Sequence, residues 1–249
     1  MTTVRIECAT MTGSHDPQAG GAADILLVPG RAALLPASRT LLVADLHLGK
    51  AATFRRAGIP VPEGSAQADL ARLERLVGEH AVRRGIVLGD LFHARTGCTP
   101  GVFAEFAAAR ARLAETAVVL VLGNHDRSIG TIPASLGIDA CLPHLDEPPF
   151  HFVHEPSTGV AASDRDLFTV SGHLHPTVAV ASPSGDRLTD RCFAAGAAVL
   201  VLPAFGSFTG GHRVEPVDGT RLWIARDDGV VEVTRLVANA GRRRRGASG

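Results

Sequence analysis

The sequence contains no tyrosine, a single tryptophan (Trp223) and, among 25 Lys and Arg residues, a single lysine, Lys50. Aromatic residues make up only 4% of the 249 positions, so no base-stacking platform is legible. Net charge is absent as well. The 25 basic residues balance 25 acidic ones, which removes any global argument for a nucleic-acid or membrane-surface binder. The four cysteines, Cys8, Cys98, Cys141 and Cys192, lie far apart. That spacing excludes a zinc–thiolate cluster or a CxxC redox site and suits a reducing compartment. No apolar run approaches the roughly 20 residues that span a bilayer. The stretch MTTVRIECATMTGSHD at the start lacks the apolar core of a secretory signal. A cytoplasmic protein without membrane contact is expected.

What is present has a rhythm. Apolar runs at 41–44, 85–88 and 117–122 alternate with helical spacing over 65–80 and 102–115. Strand, helix, strand, helix, strand predicts βαβ units and a parallel sheet. The second half loses its helical pattern. Short apolar runs at 150–153, 167–170, 177–181, 198–202, 221–225 and 230–235 read there as strands between Pro, Gly and Ser turns. No linker or repeat interrupts the core. One domain over 24–236 is expected, preceded by a poorly ordered segment at 1–23 and followed by a basic tail at 237–249.

The chemistry sits where these runs end. Asp45 and His47 follow the first, Asp90 the second, and Asn124, His125 and Asp126 the third. His154 follows HFV, and His173 and His175 follow FTVSG. Open α/β sheets bind ligands beyond the carboxyl ends of their strands. A lone strand-end Asp or His is ordinarily a turn former or a helix cap. Five strand-end loops that all carry Asp, His or Asn and no thiolate are better explained by a site for divalent metal. Asp45, His47, Asp90, Asn124, His154, His173 and His175 are too many ligands for one tetrahedral ion. They suit two ions sharing a carboxylate, the arrangement that clamps a phosphate for in-line displacement.

These motifs (D-x-H at 45–47, G-D at 89–90, G-N-H-D at 123–126, a separate His154 and G-H-x-H at 172–175) resemble those of the calcineurin-like metallophosphoesterases. The stretches LLVADLHLGKAATFRRAGIPVP, GIVLGDLFHAR, VSGHLHP and LPAFGSFTGG are similar to the bacterial DNA-ligase-associated branch (PdeM-type). The resemblance implies an α/β fold, with two mixed β-sheets packed as a sandwich and flanked by helices. It implies one metal on Asp45, His47 and His175, a second on Asn124, His154 and His173, and Asp90 between them. It implies His125 as the catalytic histidine, with Asp126 orienting its ring. His154 departs from the pattern, since many relatives place this histidine after a glycine and here it stands in FVHEP.

Lys50, Arg55, Arg56, His93, Arg95 and Arg127 are the candidate substrate contacts, arginine being suited to bidentate phosphate recognition. The expected cofactor is a pair of divalent ions, manganese before iron or zinc. The resemblance implies phosphodiester hydrolysis by a phosphodiesterase or nuclease linked to DNA repair, with an ATP-dependent DNA ligase and a helicase as partners. Two alternatives are a small-nucleotide phosphodiesterase or pyrophosphatase, resembling UDP-diacylglucosamine pyrophosphatases, and a non-catalytic metal-binding scaffold.

Overall fold

The computed structural model describes residues 2–8, 23–61, 64–156, 167–181, 187–217, 219–226 and 228–237. The first sheet holds β1 (Val4–Cys8), β2 (Ala23–Val28), β3 (Ala32–Leu35), β4 (Thr40–Val43), β5 (Arg84–Leu88), β6 (Ala117–Val121) and β7 (Ala140–Leu142), in that spatial order. From β1 to β4 the pairing is antiparallel, and from β4 to β7 it is parallel. The helices α1 (Lys50–Arg56), α2 (Ser65–Glu79), α3 (Pro100–Arg112) and α4 (Asn124–Ile129) lie between its strands in sequence.

The parallel strands are apolar because they are covered on both faces. Side chains alternate across a strand. Leu42, Ile86, Leu88 and Val121 enter the core between the sheets, while Leu41, Val43, Val87 and Leu120 enter a second core with Leu70 and Leu76 of α2 and Phe106 of α3. The helical pattern read over 65–80 is thus the inward face of α2.

The second sheet contains β8 (Leu145–Glu147), β9 (Phe150–Phe152), β10 (Phe168–Ser171), β11 (Pro176–Ala181), β12 (Arg187–Ala195), β13 (Val199–Val201), β14 (His212–Arg213), β15 (Arg221–Ala225) and β16 (Val230–Glu232). Pairing is parallel between β9 and β10, β10 and β13, and β11 and β14. Phe150, Phe152, Phe168, Phe193, Leu200 and Trp223 meet the first sheet in the shared core. The fold is therefore α/β, with two mixed sheets and flanking helices. No helix among the described residues is long and apolar enough to cross a membrane.

Residues 4–8 depart from the sequence reading, which left 1–23 without regular structure. Val4–Cys8 form an edge strand on β2, with Val4 and Ile6 packed against the shared core. Residues 9–22 of that segment, and 238–249 of the predicted tail, lie outside the described residues.

The loop after β13 is fastened to both the helices and the first sheet. Asp69 of α2, only 3% exposed, accepts the Ser207 backbone N–H at 2.7 Å and the Ser207 hydroxyl at 2.5 Å. Arg72 donates to Asp69 and to the Phe205 carbonyl, and its guanidinium lies 4.2 Å from the centre of the Phe205 ring. Replacing Asp69 with Ala removes the acceptor of these part-buried donors and is expected to cost about 1–2 kcal/mol, read by urea unfolding. An unchanged unfolding midpoint would contradict this account of the loop.

Candidate active site

Each predicted ligand follows the carboxyl end of a strand: Asp45 and His47 after β4, Asp90 after β5, Asn124 at the start of α4 after β6, His154 after β9, and His173 and His175 between β10 and β11. Adjacent loops continue the pairing of their strands. The Asp45 N–H donates to the Gly89 carbonyl, His47 N–H to Asp90 and Leu48 N–H to Leu91. Across the sandwich, Phe205 N–H donates to Ala44 and Gly206 N–H to Asp45.

Asp45, His47, Asp90, His173 and His175 all have positive φ, between 43° and 67°. This region disfavours non-glycine side chains by about 1–3 kcal/mol each and is characteristic of functional sites. The turned backbone aims all five side chains inward. Glycine is needed at two neighbouring positions for lack of space. A Cβ on Gly89 would overlap the His154 ring, and one on Gly123 would overlap the Asp90 carboxylate.

Two groups result. In the first, His175 Nε2 lies 3.3 Å from His47 Nε2 and 3.3 Å from Asp45 Oδ1. In the second, His154 Nε2 lies 3.0 Å from Asn124 Oδ1, 3.1 Å from His173 Nδ1 and 3.5 Å from Asp90 Oδ2. Asp90 Oδ2 also lies 3.8 Å from His47 Nε2, so this carboxylate stands between the groups. Asp45–His47–His175 and Asp90–His154–His173 each have the spacing to hold a metal ion.

The donors fit cations. Asp45 is fully buried; its Oδ2 accepts the His173 N–H at 2.9 Å, while Oδ1 has no hydrogen-bond partner. A buried carboxylate oxygen without a donor is costly unless a cation faces it. The His154 Nδ1 lies 3.0 Å from the Leu88 carbonyl, which holds the Nδ1–H tautomer and turns Nε2 toward the other ligands. Burial alone would lower the His154 pKa. The hydrogen bond to Asp90 and the charges of Asp45 and Asp90 outweigh it, pushing the pKa up to about 8. His47 goes the other way: burial dominates and takes it down to about 3. For Asp90 burial is offset by His154 and His47, so its carboxyl stays below the usual range.

His125 is half-exposed, with Nε2 4.0 Å from Asp90 Oδ2 and its backbone N–H donated to Asp90 Oδ1 at 3.0 Å. The ring-orienting role expected of Asp126 is not what the structure contains. The Asp126 carboxylate is fully buried and accepts the backbone N–H groups of Leu91, Phe92 and Gly123. Both oxygens are therefore spent on tying the loops after β5 and β6 together. The His125 ring stacks on His93, 4.9 Å away at 26°, and meets His47 edge-on at 5.1 Å; His93 Nδ1 is also 3.3 Å from His47 Nδ1. His93, a predicted substrate contact, thus lies among the site imidazoles.

The other predicted contacts divide. Lys50 begins α1 and is close enough to depress the pKa of both His47 and His93. Burial and then Arg191 lower the Lys50 pKa itself. Lys50 and Arg55 line a cleft of about 180 Å³ that starts at His47. Arg56 instead donates to the Thr96 carbonyl at 2.5 Å, bracing α1. Arg95, in the turn Arg95–Gly97, and Arg127, on α4, are exposed.

Residues 38–194 match the calcineurin-like phosphoesterases. The chain belongs to this family. It is a metallophosphoesterase, a hydrolase acting on phosphoric esters. The crystal structure of Pseudomonas putida nuclease MPE is similar at 36% identity over 93% of this chain and 100% of that one, with a TM-score of 0.71. Two remoter structures carry no functional comparison. They are AQ665 from Aquifex aeolicus, a protein of unknown function (14% identity, 55% and 78% coverage, TM-score 0.38), and Yfce, a phosphoesterase from E. coli (15%, 76% and 88%, 0.37). No curated protein sequence matches.

The geometry of Asp126 separates two roles. Asp126→Ala leaves three buried N–H groups without an acceptor, so a stability loss of at least about 2 kcal/mol is expected in denaturant unfolding. Full stability with a slowed reaction would restore the ring-orienting role.

Proposed function

We propose that this metallophosphoesterase is a two-metal phosphodiesterase that cleaves DNA. In this reading it works in repair in the cytoplasm, beside an ATP-dependent DNA ligase and a helicase. The observation that carries the reading is the convergence of seven Asp, His and Asn side chains into two adjoining groups, one of which contains Asp45 Oδ1, a buried acceptor with no hydrogen-bond donor. The likeness to a nuclease across 93% of the chain supports the choice of substrate.

Asp45, His47 and His175 would hold one ion; Asn124, His154 and His173 would hold the other, with Asp90 shared. This donor set, without thiolate, suits manganese, or alternatively iron or zinc. Bound there, two cations lower the pKa of water and neutralise charge on the phosphoryl oxygens. The protein's own groups do the rest. His125 reaches solvent and holds a proton at Nε2. As a water oxygen bonds to phosphorus and the ester P–O bond breaks, the water gives up a proton to bulk solvent and the His125 proton passes to the leaving oxygen, solvent then reprotonating His125. His93, stacked on the His125 ring, fixes its plane. Lys50 and Arg55 bind phosphate oxygens along the cleft.

Purified protein with manganese is assayed on single-stranded DNA and on matched p-nitrophenyl mono- and diesters, with Asp90→Asn alongside. Cleavage of DNA and diester is expected, abolished by EDTA and reduced at least about a hundredfold in Asp90→Asn. Diester turnover without DNA cleavage would replace this reading with a small-nucleotide phosphodiesterase. Metal uptake with no turnover at all would leave a binding scaffold.

A further inference from the structure

The cleft beside His47 has an aromatic wall. Phe208 is 36% exposed there and is the one exposed aromatic among the described residues. Its ring meets Phe54 of α1 edge-on, 5.5 Å between centres at 86°. A single exposed apolar side chain is ordinary on a protein surface. This one is different because of how it is held. Its neighbour Ser207 is pinned to Asp69, and Arg191 donates to the carbonyls of Gly206, Ser207 and Thr209. Gly206 N–H is hydrogen-bonded to the Asp45 carbonyl, so Phe208 stands at a fixed distance from the metal ligands. The loop thus presents an apolar ring on rigid backbone, next to the only lysine and to a phosphate-cleaving centre.

The rest of the lining suits one kind of occupant. Lys50 and Arg55 supply positive charge, and Ser65 and Gln67 supply hydrogen-bonding groups, with the carboxylates of Asp69 and Glu105 also in the lining. The Gln67 amide is oriented by donating to Glu105 at 2.8 Å. Whole small ligands fill roughly 300–1,000 Å³, so a cleft of about 180 Å³ accepts one ring system. A cation, an aromatic face and an amide lining one cleft beside a phosphate site complement the phosphate, base and polar edge of a nucleotide. We infer that Phe208, backed by Phe54, stacks on the base of the nucleotide flanking the scissile phosphate. This deepens the proposed function and rests on it. It also gives the chain a base platform that its low aromatic content conceals.

The test uses two esters with the same leaving group, thymidine 5′-(p-nitrophenyl phosphate) and methyl p-nitrophenyl phosphate, turned over with manganese by wild type, Phe208→Ala and Phe208→Trp. The ratio of kcat/KM for the base-bearing ester over the methyl ester is expected to fall roughly 5- to 100-fold in Phe208→Ala and to be kept in Phe208→Trp. In parallel, anisotropy with calcium in place of manganese compares a dye-labelled oligothymidylate with an abasic strand of equal length. Wild type is expected to prefer the strand with bases, and Phe208→Ala to lose that preference. An unchanged ratio and an intact preference in Phe208→Ala would overturn the inference. If wild type turns over neither ester, the phosphodiesterase reading falls, and the anisotropy arm still decides Phe208.

Discussion

The site depends on a backbone constraint. Five residues that carry its chemistry, Asp45, His47, Asp90, His173 and His175, sit in the left-handed region. No isolated loop would hold them so, because each such conformation is unfavourable for a side chain with a Cβ. Here the conformation is over-determined. Parallel strand pairing runs on past the strand ends into the loops, through Asp45 to Gly89, His47 to Asp90 and Leu48 to Leu91. Asp126 binds the loop after β5 through the Leu91 and Phe92 N–H groups and its own turn through Gly123 N–H, and the 205–209 loop closes the other side through Ala44 and Asp45.

Electrostatics follows from that geometry. Asp45 and Asp90 are forced into the interior beside imidazoles rather than beside Lys or Arg. Such an assembly has the donor set and spacing to hold metal ions, whose charge would balance the carboxylates. The same fields split the histidines. His154 lies between two carboxylates and gains basicity, while burial leaves His47 neutral with a free electron pair. The balanced net charge of the chain is therefore uneven in space. The attraction for phosphate arises at the metal centre, with Lys50 beside it.

Much of this was legible in the residues, for physical reasons. Strands buried on both faces must be apolar throughout, so β4, β5 and β6 announce themselves as runs. A polar cluster ending every run identifies the edge that carries the site. Other elements were silent. The polar residues laced through β12 (Arg187, Thr189, Asp190, Arg191) hide a strand paired on both sides. Nothing local distinguishes Arg55, which lines the cleft, from Arg56, which braces α1. An acid directly after a histidine reads as its partner, yet at Asp126 the nearest donors are backbone groups brought by another loop.

The sequence by itself determined the class of chemistry and the family, because metal ligands must be particular side chains and their spacing follows strand ends. Tertiary structure decided the roles that depend on neighbours. It turned Asp126 from the His125 ring to the backbone of residues 91, 92 and 123, and put His93 in its place. It also brought Phe54 and Phe208 together, from opposite ends of the chain, on one wall of the cleft. Those relations arise only when loops from both sheets pack on one another, and no local pattern along the chain encodes such packing.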